Sequence, residues 1–255
     1  MSLYVERCGN PDGPSLVLLH GWGMHSGVWN TLLPLLDQQF DLYLIDLPGL
    51  GRSAECLPQT YSMQAVCELI SEKIPDQSIL FGWSLGGSVA MSLARDFPNK
   101  VSKVITLASN PCFVQRPDWQ SAMPETVYQP FESALVENAQ KTLQRFNMLQ
   151  SQGGADARSD LKQLKVLMSE VTLSDKALQD SLALLRGDYR ALYAATDRPC
   201  LHLLCEADTV VPVETAQALR VLQPGAQITV LEGQSHIPLL SSAGIVAEPI
   251  VEWLK

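Results

Sequence analysis

The sequence lacks the features that mark several large classes of protein. No uninterrupted apolar run approaches the ~20 residues that a membrane-spanning helix requires. Residues 1–9 contain no cationic start followed by an apolar stretch, so we expect no secretory signal peptide. The six cysteines are scattered without a Cys-x-x-Cys pair, which favours reduced thiols over a disulfide framework or a zinc site.

Positive charge is also scarce. There are 18 Lys and Arg against 27 Asp and Glu, which gives a net charge of −9. An acidic chain without a basic tail argues against a broad surface for nucleic acid or anionic membranes. Hydrophobic residues make up 46% of the chain and charged ones 18%, a globular composition. We therefore expect a cytoplasmic, globular monomer whose partners include neither nucleic acid nor a membrane.

Short apolar runs alternate with helical patterns along the chain. The predicted strands are residues 3–8, 15–19, 42–47, 78–82, 101–107, 201–205 and 228–231. The predicted helices are residues 28–36, 62–73, 86–96, 213–222 and 245–254. Most of the strands are apolar throughout, as in parallel strands that are covered on both faces. The pattern predicts an α/β fold with a mostly parallel, doubly wound sheet.

Residues 111–195 interrupt this alternation. They contain no convincing strand, show helical spacing, and lie between two predicted strands. We predict a helical lid inserted late in the chain, with residues 1–110 and 196–255 forming the core. The lid is expected over the carboxyl edge of the sheet, where open α/β sheets bind ligands.

Residues 82–86, Gly-Trp-Ser-Leu-Gly, are the sharpest local motif. They follow an apolar strand and open a helix rich in Ala, Val and Met. A Gly-x-Ser-x-Gly motif in this context predicts a strained turn that exposes the hydroxyl of Ser84 as a nucleophile. The amide of Leu85 then lies at a helix N-terminus, where N–H groups favour negative charge, and supplies half of an oxyanion hole. The Trp22 amide, between two glycines after an early strand, is the predicted second donor.

A serine nucleophile needs a base, and the chain has four histidines. His202 lies within an apolar strand and is expected in the core, His20 is expected to bond loop backbone, and His25 is expected to face solvent. His236 follows the last predicted strand and fits the chain order Ser, acid, His. Glu206 and Asp208 both follow the strand at 201–205, and spacing alone does not separate them as the acid that orients His236.

Together these segments resemble the α/β-hydrolase superfamily over the whole chain. The resemblance rests on residues 18–23 (Leu-Leu-His-Gly-Trp-Gly), 46–53 (Asp-Leu-Pro-Gly-Leu-Gly-Arg-Ser), 82–86, Asp208 and His236. It implies an α/β-hydrolase fold, a structural turn at residues 46–53, and Asp208 rather than Glu206 as the third catalytic residue. Haloalkane dehalogenases and epoxide hydrolases of this fold carry Asp at the elbow, so Ser84 argues against those activities.

A closer resemblance is to the pimeloyl-acyl carrier protein methyl ester esterases of biotin synthesis. It rests on residues 20–29, on Trp83 before the nucleophile, and on residues 108–113 at the start of the lid. It implies a serine carboxylesterase that releases methanol from methyl pimeloyl-acyl carrier protein and needs no metal or organic cofactor. Two alternatives remain. One is a broad short-chain carboxylesterase or carbon–carbon bond hydrolase on the same triad, and the other is a non-catalytic ligand receptor on a hydrolase fold.

The lid carries a local excess of positive charge. Residues 139–165 hold five cations and two acids in an otherwise acidic protein. Lys141 and Arg145 share one helical face, and Arg158 and Lys162 repeat the spacing. The resemblance implies that these four contact the acyl carrier protein. The family has arginine at the positions of Lys141 and Lys162, and lysine offers a point charge instead of a bidentate fork.

Aromatic residues near the nucleophile suggest an acyl channel. We expect Trp22, Trp83 and Phe146 to contact the substrate, because Trp83 adjoins the nucleophile and Phe146 lies on the cationic lid helix.

Overall fold

The computed structural model describes residues 2–255, which form one seven-stranded sheet. The strands are β1 (Val5–Gly9), β2 (Ser15–Leu19), β3 (Asp41–Ile45), β4 (Ser78–Trp83), β5 (Val101–Leu107), β6 (Cys200–Cys205) and β7 (Gln227–Leu231). Their order across the sheet is β1-β3-β2-β4-β5-β6-β7, and β1 is antiparallel to β3 while the other neighbours are parallel. The predicted mostly parallel sheet is confirmed, and each predicted strand overlaps one of these.

The helices alternate with the strands outside the lid. They are α1 (Leu33–Leu36), α2 (Met63–Ser71), α3 (Leu85–Asp96), α4 (Glu125–Glu137), α5 (Ala139–Gln150), α6 (Ala157–Ser169), α7 (Asp175–Ala183), α8 (Arg190–Ala195), α9 (Thr215–Leu222) and α10 (Ala243–Leu254).

Both faces of the sheet are buried, which explains why its strands are apolar throughout. Successive side chains of a strand point to opposite faces. Leu19 of β2 accordingly belongs to one core cluster, with side chains of α2, α3 and α9. Leu18 belongs to the other cluster, with side chains of α1 and α10. The helices therefore cover the sheet on both sides, as the doubly wound pattern predicts.

The helix predicted at residues 28–36 is wrong in its extent. The structure has a short 3₁₀ turn at Ser26–Trp29 and then the single turn of α1. Pro34 lies in the first turn of α1, where its missing N–H is tolerated. Further into a continuous helix it would remove a hydrogen bond and clash with the preceding turn, so the segment divides in front of it.

Between β5 and β6 the described chain forms α4 to α8 and no strand, only isolated bridges such as Cys112 with Asp188. The predicted helical character is confirmed from α4 onward, whereas residues 111–124 form turns and isolated bridges. Asn138 caps α5 and Ser174 caps α7, each accepting a hydrogen bond from the backbone three residues on. Residues 111–195 are called the lid below.

The cysteines behave as expected. All six lie within residues 2–255 and are free, and all except Cys8 are buried. Within the same residues no helix is long and apolar enough to cross a bilayer.

Candidate active site

The turn between β4 and α3 holds Ser84 in a strained conformation. Its φ of 55° and ψ of −118° lie outside the regions that L-residues favour. The two flanking glycines make this turn possible: a Cβ on Gly82 would collide with the carbonyl oxygen of Gly86, and one on Gly86 with that of Leu19. The small residues that the motif requires are therefore dictated by backbone contact.

Ser84, His236 and Asp208 form a hydrogen-bonded chain. Nε2 of His236 lies 3.1 Å from Oγ of Ser84, and Nδ1 lies 2.8 Å from Oδ2 of Asp208. A carboxylate only accepts, so Nδ1–H donates to Asp208 and Nε2 is left to accept from the serine hydroxyl. All three residues are buried, His236 completely. This is the geometry in which a serine hydroxyl can lose its proton to an oriented imidazole.

The structure shows which of the two candidate carboxylates, Asp208 or Glu206, contacts His236. Besides facing His236, Asp208 accepts hydrogen bonds at Oδ1 from the amides of Val210 (2.7 Å) and Val211 (2.9 Å). Glu206 instead accepts from the amide of Gly233 at 2.9 Å. Asp208 thus lies against the imidazole, and Glu206 ties together the loops that follow β6 and β7.

The predicted oxyanion donors lie on two segments next to Ser84. The amide of Leu85 opens α3, where the first N–H groups have no partner within the helix. Trp22 follows Gly21, and a Cβ on Gly21 would lie 3.2 Å from Cβ of Ser84. The backbone before Trp22 therefore passes directly beside the nucleophile.

Two of the other histidines have the structural roles predicted. His20 is buried, with Nδ1 2.8 Å from the carbonyl oxygen of Gly21 and Nε2 accepting from the amide of Leu47 at 2.9 Å. His202 is buried between the hydroxyl of Thr106 and the amide oxygen of Gln223. Burial lowers the pKa of both His20 and His202 to about 4, so both are neutral near pH 7.

The prediction that His25 faces solvent is wrong. Its side chain is 2% exposed, and Nε2 lies 3.0 Å from the carbonyl oxygen of Leu167 in α6. Nδ1 accepts from the amide of Gly27, so Nε2 carries the proton and donates it to the lid. The lid residues that bury His25 lie far from it along the chain, so the local sequence pattern does not predict this burial.

The segment at residues 46–53 is a structural turn, as expected. The carboxylate of Asp46 is fully buried and accepts from the amides of Ser26 (2.6 Å) and Arg52 (2.7 Å). The Arg52 guanidinium also donates to Asp46 and to the hydroxyl of Tyr4. The turn thus fixes the loop after β2 to that after β3.

Lid helices contact the loops that carry the site. Leu178 of α7 accepts a hydrogen bond at its carbonyl from the indole of Trp22 (3.0 Å), and Leu149 of α5 accepts one from the hydroxyl of Thr209 (2.9 Å). Phe146 of α5 packs edge-on against Trp22, with ring centroids 5.2 Å apart. The lid therefore covers the segments on both sides of Ser84.

Phe146 also lines a small apolar cavity of about 30 Å³ between α4, α5 and α7. Its wall includes Phe113, Phe131 and Phe146, and the latter two also contact Trp22. Trp83 is not part of this wall, and its indole instead packs against His236 on the opposite face of the sheet. Of the three residues expected to contact substrate, the structure brings Trp22 and Phe146 together and places Trp83 against His236.

A contact that sequence reasoning missed joins the lid to the triad loops. Gly153, in the turn between α5 and α6, has φ +92°, and a Cβ there would collide with the carbonyl oxygen of Ala207. A Cβ on Gly154 would lie 3.2 Å from the backbone of Ser235. Only the glycine pair itself signalled a close approach in the sequence.

The lid cations fall into two groups. Arg116, Lys176, Arg186 and Arg190 all form ion pairs with carboxylates. Five others are exposed, and none has an ion-pair partner within 4.0 Å among residues 2–255: Lys141, Arg145, Arg158, Lys162 and Lys165. The first four, which are the predicted carrier-protein contacts, are called the basic face, and α5 and α6 contribute two residues each. Within residues 2–255 no group of three or more His, Cys, Asp or Glu side chains could hold a metal ion.

Comparison with known proteins agrees with this geometry. Residues 16–248 match the alpha/beta hydrolase family. The chain belongs to that family. Among solved structures, this hydrolase chain is similar to an esterase from Exiguobacterium antarcticum (TM-score 0.86, 21% identity, covering 99% of this chain and 95% of the esterase). It is also similar to a bromoperoxidase from Bacillus anthracis (TM-score 0.87, 19% identity, covering 99% and 95%). The predicted α/β-hydrolase fold is thereby confirmed.

The relatives found by sequence similarity bear a more specific name than the structural neighbours do. This hydrolase is 36% identical over 255 residues to a pimeloyl-[acyl-carrier protein] methyl ester esterase of Yersinia enterocolitica, covering 99% of this chain and 97% of the relative. It is 37% identical over 243 residues to the enzyme of the same name from Aeromonas hydrophila, covering 94% of each. The predicted resemblance to this group of esterases is confirmed.

Proposed function

We propose that this chain is a serine carboxylester hydrolase that converts the methyl ester of pimeloyl-acyl carrier protein to pimeloyl-acyl carrier protein and methanol. The observation that carries the reaction type is the Ser84–His236–Asp208 chain of hydrogen bonds at a strained elbow. Full-length identity of 36–37% to relatives that bear this name supports the substrate.

In the first half of the reaction Ser84 attacks the ester carbonyl. Its hydroxyl proton passes to Nε2 of His236, and Asp208 stabilises the imidazolium that results. The tetrahedral oxyanion accepts hydrogen bonds from the amides of Trp22 and Leu85, the second of which also benefits from the N-terminus of α3. Collapse of the intermediate transfers the proton from His236 to the departing methanol and leaves an acyl ester on Ser84.

In the second half water replaces methanol. His236 accepts a proton from water, which attacks the acyl carbonyl, and the same two amides hold the second oxyanion. The Ser84 oxygen leaves and recovers the proton from His236. The product is a free carboxylic acid at the end of the chain, and every proton in the cycle passes through one imidazole.

Substrate contacts follow from the covering helices. The loop that leads to Trp22 passes beside Ser84, and Phe146 of the lid packs against Trp22, so these two side chains offer apolar surface to a methylene chain. Trp83 is not assigned this contact, because it lies against His236 on the other face of the sheet. We assign residues 111–195 to a lid domain, and residues 1–110 and 196–255 to the catalytic core.

The basic face would receive the acyl carrier protein. Its four cations are free of carboxylate partners within residues 2–255, as is the neighbouring Lys165, whereas Arg116, Lys176, Arg186 and Arg190 are paired. Unpaired cations on two adjacent helices suit an acidic protein and a phosphate-bearing arm, since no internal ion pair must break when the partner binds. The acidity of the rest of the chain restricts attraction to this face.

Methanol release from methyl pimeloyl-acyl carrier protein tests the proposal, with Ser84→Ala as the control and a small nitrophenyl ester as a second substrate. Efficient release that is lost in Ser84→Ala is the expected result. Turnover of the nitrophenyl ester alone would retain the triad and overturn the carrier-protein substrate. Turnover of neither ester by folded protein would overturn the esterase.

A further inference from the structure

Trp83 is buried in the core although it adjoins the nucleophile. It is the last residue of β4, pairs with Leu107 of β5, and is 1% exposed. Its side chain belongs to the core cluster that also contains Phe81 and Ile237. A side chain buried there does not face the apolar cavity beside Phe146, so contact with the acyl chain does not explain a tryptophan at this position.

The indole of Trp83 contacts both loops that complete the site. Nε1 donates a hydrogen bond of 2.8 Å to the backbone carbonyl of His236, and the indole lies 5.6 Å from the imidazole, centroid to centroid. A Cβ on Gly21 would lie 3.1 Å from Cε3 of Trp83, so the edge of the six-membered ring rests on the loop that leads to Trp22. One rigid side chain thus links the loop of the base and the loop of the oxyanion donor to the strand that presents Ser84.

We propose that Trp83 is a positioning residue that fixes His236 over Ser84 through the indole N–H. This inference rests on the proposed roles of Ser84 and His236, and it is independent of the carrier-protein substrate.

The physical reason is the cost of an unpaired buried carbonyl. His236 is fully buried, so without the indole donor its loop would relax to find another partner. The bond between His236 and Ser84 is already 3.1 Å long, and a shift of about 1 Å in a catalytic group lowers rates by roughly a hundredfold. Phenylalanine or leucine at position 83 would fill part of the volume and supply no donor.

Trp29 provides a matched control. It is fully buried in the same core cluster, with its ring 5.0 Å from that of Phe81. Its Nε1 has no hydrogen-bond partner among residues 2–255. Trp29→Phe therefore makes the same change in volume and removes an indole N–H without breaking a hydrogen bond, whereas Trp83→Phe breaks one.

The experiment compares Trp83→Phe with Trp29→Phe, using a small nitrophenyl ester and the low-field proton resonance of the His236–Asp208 bond. We expect kcat to fall about ten- to a hundredfold in Trp83→Phe with KM unchanged, and the resonance to shift or broaden. Trp29→Phe is expected to stay within about twofold of wild type by both measures, because no hydrogen bond is lost.

Three outcomes would overturn the inference. They are equal kcat values in the two variants, a loss that falls entirely on KM, and an unchanged resonance in an impaired Trp83→Phe. If Trp83→Phe does not fold, benzothienylalanine at position 83 replaces only the N–H with sulfur and is scored in the same way. Wild-type protein that turns over no ester would refute the esterase, while the resonance would still report the effect of Trp83 on His236.

Discussion

Reversing the charges of the basic face should slow hydrolysis of the carrier-bound ester and leave hydrolysis of a small free ester unchanged. In the double variant Lys141→Glu, Arg145→Glu both changes lie on the exposed side of α5, where no ion pair is disrupted. Exposed ion pairs contribute roughly 0.2–1 kcal/mol, and a reversal replaces one attraction with a repulsion of similar size. Two reversals then cost about 2 kcal/mol of binding free energy, or about a thirtyfold loss in kcat/KM for the acyl carrier protein ester.

The assay measures methanol release from methyl pimeloyl-acyl carrier protein at low and high salt, beside a nitrophenyl ester at the same pH. The loss should appear in KM, shrink as salt screens the charges, and be absent for the small ester. Lys176→Glu is the matched control, because Lys176 is also an exposed lid lysine but is paired with Asp180 at 2.6 Å. Wild-type kinetics in the double variant, or an equal loss in Lys176→Glu, would refute docking on this face.

Three further predictions concern the triad and its support. Asp208→Asn should lower kcat by about 10⁴ at unchanged fold, since an amide cannot hold Nδ1–H of His236 as a carboxylate does, and steady-state kinetics with circular dichroism would test this. Gly153→Ala should lower both the thermal midpoint and kcat, because Gly153 has φ +92° and the added methyl group would collide with the carbonyl oxygen of Ala207. A thermal midpoint and a kcat that both stay unchanged would contradict this contact. Burial lowers the pKa of His202 to about 4 against 6.5 in an unfolded chain, so the unfolded state binds more protons between these values. The free energy of unfolding should thus fall as pH drops from about 6.5 towards 4, by about 1.4 kcal/mol per pH unit for this group, and urea titrations of wild type and His202→Gln should show a shallower slope in the variant.

Local chemistry explains which parts of the site the sequence could predict. The elbow is determined within residues 82–86, because the two glycines, the strand before them and the helix after them all lie in one short segment. The strands could also be predicted from the sequence, because strands that are buried on both faces consist of continuous apolar runs. His236 was predicted from its place after the last strand together with the chain order Ser, acid, His.

Features that depend on contacts between distant segments could not be predicted from local sequence patterns. Asp208 and Glu206 lie two residues apart on the same loop, so spacing did not separate them, and only the resemblance implied Asp208. The three-dimensional position of His236 gives the physical reason for that choice. His25 was expected in solvent because its burial depends on Leu167, which is far away along the chain. The side to which the indole of Trp83 turns likewise depends on the loop of His236. In each case a tertiary contact determines the environment of the side chain, and the local sequence does not specify that contact.

If His236 and Asp208 make Ser84 a nucleophile, a fluorophosphonate will label that hydroxyl. Peptide mapping by mass spectrometry would locate the adduct in wild type and in His236→Ala. We expect one adduct per chain, on Ser84, with labelling greatly slowed in His236→Ala because the hydroxyl then lacks its base. An adduct on another residue, equal labelling rates in the two proteins, or no adduct on folded wild type would contradict this expectation.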